Sequence, residues 1–129
     1  MSCGEAVAVD GNTALGRLGE RIAADYLRLV GCSILERNFR FEHVEVDLIV
    51  RDGPCIAFVE VKMRRSAAFG ESREAVSPQK LKNLRKAARW YLCCAPFGAR
   101  ADEYRFDLVA LDCDRARDMM TIRHLKGIA

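Results

Sequence analysis

Several features that commonly identify a protein's class are missing from this chain. Its cysteines form no C-x-x-C pair, and neither histidine lies near them at the spacing of a zinc site. The first ten residues carry no basic region, and no apolar run approaches the roughly 18 residues that span a membrane. Repeats and low-complexity tracts are absent as well. These absences argue against a zinc-bound, secreted or membrane-spanning protein, and we expect a cytoplasmic protein with reduced thiols.

Aromatic residues are also few, at 8% of the chain, with a single tryptophan. Phe39, Phe41 and Tyr104 fall in predicted strands and are expected in the core, and Trp90 is expected to pack near a helix seam. The sequence shows no aromatic stacking platform and no base-reading element. Any nucleic acid would therefore be recognised by its shape and backbone.

The size and composition indicate one globular domain. The chain has 129 residues, of which 50% are hydrophobic and 30% charged, and its net charge is only +3. Residues 1–12 are predicted to form a flexible leader, and 13–129 a single domain. Apolar periodicity and turn residues predict helices over 14–30, capped by Thr13, and from Ser77-Pro78 to about 94. Predicted strands cover 33–41, 44–51, 55–63, 104–112 and 119–125. This order predicts a mixed β-sheet flanked by helices.

The stretch "VEVDLIVRDGPCIAFVEVKMR" (44–64) places charged residues in the middle of two strands joined by a turn. A two-residue loop would place Glu45 opposite Glu60, and a four-residue loop would place Asp47 there. We favour the longer loop, because it leaves the proline outside the ladder. In either register the alternation of side chains brings Glu45, Asp47, Glu60 and Lys62 to the same face.

Carboxylates gathered on one half-buried face repel each other, and Lys62 supplies one positive charge against three negative ones. A divalent cation would compensate the remainder, and oxygen ligands favour Mg²⁺ or Mn²⁺. The alternative is a solvated sheet face on which these acids pair with exposed bases.

Five segments of the chain resemble the YraN-like family of small bacterial proteins. They are "GRLGERIAADYL" (16–27), "VEVDLIVRDG" (44–53), "FVEVKMRRSAAFG" (58–70), "AVSPQKLKNLRKAARWYL" (75–92) and "YRFDLVAL" (104–111). That family is placed in the restriction-endonuclease-like PD-(D/E)XK nuclease superfamily, near the archaeal Holliday-junction resolvases. The resemblance implies an α/β fold with a central mixed sheet between helices. One departure is Val44, which stands where the family has glycine.

The resemblance also implies functional residues. Asp47 matches the first metal-binding aspartate, and Glu60 and Lys62 match the E-x-K pair. Glu20 on the first helix matches the acid that completes the cluster in resolvase-like members, and Glu45 matches a family glutamate. Of the two histidines, His124 is expected to be a surface or packing residue, and His43 is expected at the rim of the acidic site.

A basic surface is predicted on the second helix, whose exposed face carries only positive charge. Two further arginines follow Lys62. The candidate nucleic-acid-binding residues are Arg64, Arg65, Lys80, Lys82, Arg85, Lys86 and Arg89. Phosphate backbones are natural partners of such a stripe, although a merely solvated basic face has the same pattern.

Three functions remain open from the sequence. The first is a Mg²⁺- or Mn²⁺-dependent endonuclease acting on DNA, with a branched or structured substrate. The second is a non-catalytic nucleic-acid-binding or adaptor module on a nuclease-like fold, and the third is a component that binds an acidic protein. The resemblance to resolvases adds the expectation of a homodimer.

Overall fold

The computed structural model of the chain describes residues 8–9, 14–65, 76–94 and 103–128. Two helices, α1 (Ala14–Leu29) and α2 (Pro78–Cys94), accompany a β-sheet. The strands are β1 (Ala8–Val9), β2 (Ser33–Phe41), β3 (Val44–Asp52), β4 (Cys55–Arg64), β5 (Glu103–Asp114) and β6 (Met119–Leu125). In these described ranges, neither helix combines the length and apolarity that a membrane span requires.

The local sequence signals explain where the helices begin and end. Gly31 follows α1 in the left-handed conformation, with φ 101°, and the amide of Cys32 donates to the carbonyl of Leu27. At the start of α2, the Ser77 hydroxyl accepts a hydrogen bond from the Lys80 amide. These features confirm the predicted helices. The predicted Thr13 cap lies outside the described residues, as do residues 66–75 between β4 and α2.

The sheet is mixed, with the main strands in the order β2-β3-β4-β5-β6. Strands β4 and β5 are parallel and joined by the segment that contains α2, whereas the other neighbouring pairs are antiparallel. Helix α1 packs on one face of the sheet and α2 on the other. The α/β fold with a mixed sheet between helices is therefore confirmed.

The hairpin between β3 and β4 has the predicted register. Arg51 pairs with Ile56, and Pro54 lies in the turn, outside the ladder. The ladder between the two strands ends at Leu48 and Val59. Beyond this point, β1 pairs with the last two residues of β4. Residues 8–9 of the predicted leader thus belong to the sheet, and the rest of that leader, 1–7 and 10–12, lies outside the described residues.

The alternation of side chains along β3 is interrupted at Asp47. Val46 and Ile49 both pack in the cluster around α2, whereas Leu48 packs with α1. The neighbouring strand is also irregular here, because Asn38 has φ 51°. The regular alternation assumed from the sequence therefore does not extend across this site.

Aromatic residues differ from the sequence-based expectation. Tyr104 was predicted in the core but is 55% exposed, because it lies near the start of β5. Phe39 and Phe41 are partly buried against the α2 cluster, as expected for strand residues. Trp90 contacts both phenylalanine rings, yet it remains 38% exposed.

A buried polar network connects β5 with residues 124–127. Asp107 is fully buried and accepts hydrogen bonds from Arg105 and from the Gly127 amide. His124 Nε2 lies 2.8 Å from the same carboxylate, and the His124 ring packs edge-on against Tyr26. His124 is therefore a packing residue, as expected, and His43 is exposed.

Candidate functional site

Three carboxylates converge where β3 separates from β4. Glu20, Glu45 and Asp47 each offer an oxygen, and these oxygens all lie within 4.8 Å of one another. Glu20 comes from α1, and the other two come from β3. The glutamate of the first helix, which the resemblance had implied, therefore reaches the acids of the hairpin.

Close packing of α1 on the sheet places Glu20 at this point. The preceding residue, Gly19, faces the sheet, and a Cβ atom on it would lie 3.3 Å from the Cβ of Met63. Such a contact is tighter than ordinary packing, so the absence of a side chain allows the helix to approach β4. Glu20 is buried as a result, although it carries an ionisable group.

Asp47 occupies the gap between the separating strands. Its Oδ2 accepts a hydrogen bond of 2.8 Å from the amide of Val61, which lies just beyond the end of the β3–β4 ladder. The carboxylate thus takes the place of a strand carbonyl as the partner of that amide. Asp47 consequently has a structural role in addition to any role in binding a cation.

Asn38 is a site residue that the sequence analysis missed. With its carboxamide nitrogen turned toward the acids, Asn38 donates to Glu20 Oε1 at 2.9 Å and to Glu45 Oε1 at 3.1 Å. The other oxygen of Glu45, Oε2, lies 3.0 Å from Arg40 Nη2. An asparagine tolerates the left-handed backbone at this position, but nothing in the sequence pattern of β2 indicates where its side chain points.

Glu60, predicted to share the metal site, is not one of the three acids whose oxygens converge, and it lies near Asp47 beside two lysines. Its side chain is 5% exposed, and its oxygens lie 3.9 Å from Lys62 Nζ and 3.4 Å from Lys80 Nζ. Lys80 was predicted only as a nucleic-acid-binding residue, but the first turn of α2 directs it to this carboxylate. The buried Glu60 Oε2 is the oxygen paired with the Lys80 ammonium, at a distance that is long for a hydrogen bond.

Burial and mutual repulsion shift the ionisation of these acids. The pKa of Glu20 is raised to about 7, mainly by burial and then by the charges of Asp47 and Glu45. The pKa of Glu60 is also raised to about 7, by burial and by Asp47, against the opposing charges of the two lysines. Burial likewise raises the pKa of Asp47, although its hydrogen bond from Val61 counteracts this. Without a cation, the cluster retains protons near neutral pH.

The donor set fits a small divalent cation. Mg²⁺ binds oxygen ligands at about 2.0–2.1 Å in octahedral geometry, so adjacent ligand oxygens lie about 2.9 Å apart and opposite ones about 4.1 Å. The oxygens of the trio lie within 4.8 Å of one another and must draw closer to reach this spacing when an ion binds. The raised pKa values of Glu20 and Glu60 indicate carboxylates that a further positive charge would stabilise.

A second group that the sequence analysis missed consists of arginines beside Glu20. A cavity of about 160 Å³ is lined by Arg17, Arg21 and Arg37 together with Glu20, Asn38 and Leu48. Two of these arginines flank Glu20 on α1, whereas Arg37 comes from β2. The spacing on the helix was visible in the sequence, but the approach of β2 was not.

The predicted basic residues of α2 have the expected exposure. Lys82, Arg85, Lys86 and Arg89 are exposed, on the side of the helix opposite its buried face of Leu84, Ala87, Ala88 and Tyr91. Arg65 is exposed and Arg64 is half-buried at the end of β4. These positions are compatible with contacts to a phosphate backbone.

A mixed sheet between two helices, with carboxylates converging where two strands separate, defines an α/β domain of the restriction-endonuclease-like class. Within that class, the chain belongs to the uncharacterised protein family UPF0102, which matches residues 19–111. This is the YraN-like family that its motifs resemble.

Individual relatives match most of the chain. A UPF0102 protein of Beutenbergia cavernae is 45% identical over 116 residues, covering 89% of this chain and 95% of the relative. One from Kineococcus radiotolerans is 38% identical over 123 residues, covering 95% and 99%. A third, from Syntrophomonas wolfei, is 48% identical over 100 residues, covering 78% and 85%. These relatives bear the family name alone.

Proposed function

We propose that the protein is a metal-dependent endonuclease that hydrolyses phosphodiester bonds of branched or otherwise structured DNA in the cytoplasm. The observation that carries this proposal is the convergence of Glu20, Glu45 and Asp47 within 4.8 Å. Glu60 lies near Asp47 with a buried oxygen whose partner is the Lys80 ammonium at 3.4 Å. Mg²⁺ or Mn²⁺ would be held by Asp47 and Glu60, with Glu20 and Glu45 completing the set.

The residues of the site have complementary roles in this reaction. A bound divalent ion lowers the pKa of a coordinated water and polarises a phosphate oxygen. Lys62 Nζ, whose side chain is 31% exposed, donates hydrogen bonds toward the phosphate oxygens as their charge grows. In the hydrolysis, the water oxygen bonds to phosphorus and one ester P–O bond breaks. The proton lost by the water is balanced by the proton that the leaving oxygen gains from solvent.

Two basic surfaces adjoin the acidic site and support a nucleic-acid substrate. Arg17, Arg21 and Arg37 line a cavity that also includes Glu20. The exposed bases of α2 extend from Lys80, which contacts Glu60. A substrate with phosphates on both sides of the cleaved bond would be held over the carboxylates.

The test is cleavage of a panel of branched DNA substrates with Mg²⁺ or Mn²⁺. Asp47→Asn and Lys62→Ala are expected to abolish cleavage while DNA binding persists. The first removes a metal ligand and the second removes the ammonium that stabilises the phosphate oxygens, and both leave the two basic surfaces in place. Asp25→Asn is the matched control, since Asp25 is an exposed α1 carboxylate paired with Arg28. Cleavage at the wild-type rate in both site variants would refute the proposal.

A non-catalytic nucleic-acid-binding module is the second candidate. It is favoured by the two lysines around Glu60, which compensate part of the negative charge without an ion. The two functions differ in the Mn²⁺ titration. Salt-sensitive binding of branched DNA without product at any Mn²⁺ concentration would favour the module.

A further inference from the structure

A second cavity lies between α2 and the β2–β3 turn. Its volume is about 500 Å³, and it is lined by Phe41, Glu42, Lys86, Arg89, Trp90 and Cys93. Trp90, at 38% exposed, presents part of its indole ring to solvent. The cavity therefore combines an aromatic surface with a basic rim.

Packing holds the tryptophan ring in place. Its centroid lies 5.7 Å from that of Phe39 and 5.5 Å from that of Phe41, with interplanar angles of 31° and 30°. Phe39 in turn packs edge-on against the buried Tyr91 at 5.3 Å. A ring that is already fixed loses little conformational freedom when a planar ligand stacks on it.

The charges at the rim indicate an anionic ligand. Lys86 and Arg89 are both exposed and outnumber the carboxylate of Glu42. Arg89 directly precedes Trp90 on α2, and Lys86 lies one turn before Trp90. A planar ring attached to phosphate groups matches both the indole surface and the two cations, and a nucleotide has this chemistry.

The cavity adjoins the acidic site along two separate elements. On α2, Trp90 is ten residues beyond Lys80, a distance of about 15 Å at the helical rise of about 1.5 Å per residue. On the β2–β3 hairpin, the pairs Phe41–Val44 and Arg40–Glu45 are adjacent in the ladder. A single DNA strand with stacked bases spans this distance with about four nucleotides, at about 3.4 Å each.

We propose that this cavity binds an unpaired nucleobase of a DNA strand, stacked on Trp90, while Lys86 and Arg89 contact the adjoining phosphates. This inference rests on the proposed DNA substrate and narrows it to DNA that carries unpaired nucleotides a few residues from the acidic site. Bases within a duplex are covered by their neighbours, so fully paired DNA does not fill the cavity.

Fluorescence of the single tryptophan provides the direct test. The full-length Asp47→Asn variant without divalent metal is titrated with oligothymidylate, with an abasic strand of equal length, and with a duplex. We expect oligothymidylate to quench the emission of Trp90, and the other two ligands to bind with little quenching. The proposal is overturned if oligothymidylate leaves the emission unchanged, or if the abasic strand or the duplex quenches it as strongly as oligothymidylate does.

Variants separate stacking from general electrostatics. Trp90→Leu should weaken binding of oligothymidylate by about 5- to 150-fold relative to duplex, and Trp90→Phe should preserve most of the affinity. Arg89→Gln should likewise weaken the binding of single-stranded DNA more than that of duplex. It should leave the aromatic packing intact. Arg85→Gln is the matched control, because Arg85 lies on the same helix outside the cavity and should affect both ligands equally. An unchanged ratio of affinities in both Trp90→Leu and Arg89→Gln contradicts the proposal.

These measurements are independent of hydrolysis. Quenching without any cleavage by the wild-type protein leaves the binding cavity in place and removes the endonuclease. Cleavage without quenching supports the endonuclease and overturns the proposed base-binding cavity.

Discussion

Asn38 links the two elements that supply the acidic trio. Its backbone is in the left-handed region, and its side chain donates to one glutamate from α1 and one from β3. Outer partners of metal ligands typically contribute 10- to 100-fold to metal affinity because they fix the orientation of the ligands. Asn38 is therefore a positioning residue for the proposed cation site.

Substitution of Asn38 should separate its backbone role from its side-chain role. Both Asn38→Gly and Asn38→Ala remove the hydrogen bonds to Glu20 and Glu45, so we expect each to lower Mn²⁺ affinity about 10-fold or more by calorimetric titration. In urea denaturation, Asn38→Ala should be less stable than Asn38→Gly by about 1 kcal/mol, because glycine adopts the positive φ without strain. Equal Mn²⁺ affinities in the wild type and both variants would show that Asn38 does not orient the ligands.

The raised pKa values predict how the metal-free protein responds to pH. A carboxyl with a folded-state pKa above its unfolded value binds its proton more tightly when folded. Its stabilising contribution is therefore present at low pH and is lost as pH rises from about 4.5 to about 7 for Glu60. We expect the unfolding free energy to fall by about 2–3 kcal/mol between pH 5 and pH 8 from this group.

Thermal unfolding over that pH range provides the measurement. Glu60→Gln should flatten the slope because it removes the titrating group, and Mn²⁺ should raise the unfolding temperature more at pH 8 than at pH 5. A wild-type unfolding temperature that rises steadily from pH 5 to pH 8 without metal would contradict the expected sign.

Helix α2 connects the acidic site to the exposed bases of α2 and to the cavity at Trp90. Its first turn directs Lys80 to Glu60, its exposed side carries the bases, and its later turns hold Trp90 over Phe41. The position of the helix start therefore determines where all of these groups lie. That start depends on the hydrogen bond from the Lys80 amide to Ser77 Oγ, at 3.1 Å.

Removal of this cap should weaken the helix at its start. Ser77→Ala is expected to reduce the unfolding free energy by about 1 kcal/mol, whereas Ser77→Asp should be nearly neutral or stabilising because aspartate also caps helices. Chemical denaturation of the three proteins side by side measures both effects. A loss of stability in Ser77→Asp equal to that in Ser77→Ala would mean that the hydroxyl does not act as a cap.

Much of the element structure follows from local sequence signals. Apolar spacing and Gly31 predict α1, Ser77-Pro78 predicts the start of α2, and the Asp52-Gly53-Pro54 turn predicts the hairpin register. Each signal acts within a few residues, so no knowledge of the rest of the fold is required.

Local sequence signals predicted less of the candidate site. The positive φ of Asn38, the approach of Arg37 to α1 and the exposure of Trp90 all depend on how distant elements pack. Strand alternation implied a single face for the acids, but the structure interrupts the alternation at Asp47. Glu20 was identified as a site residue only through the family resemblance, because the sequence around it predicts no more than a helix.

At the scale of the whole molecule, the positive charge is concentrated on α2 and is not spread evenly over the chain. The net charge is +3, and α2 contains five bases and no acid, so the remainder of the chain is slightly acidic. Phosphate binding should therefore depend on a few residues of this helix and respond strongly to salt. Each phosphate contact on duplex DNA contributes about 0.9 to the slope of log affinity against log salt concentration.

The salt dependence of duplex binding tests this distribution of charge. We expect Lys82→Gln and Arg85→Gln each to reduce the slope by about 0.9, because each removes one phosphate contact. Arg115→Gln, in the exposed turn between β5 and β6, is the matched control and should leave the slope unchanged. The double variant Lys82→Gln/Arg85→Gln should lose about twice as much, since contacts to separate phosphates are independent. If Arg115→Gln lowers the slope as much as Arg85→Gln does, the protein binds DNA through diffuse attraction over its whole surface, and α2 is not the interface.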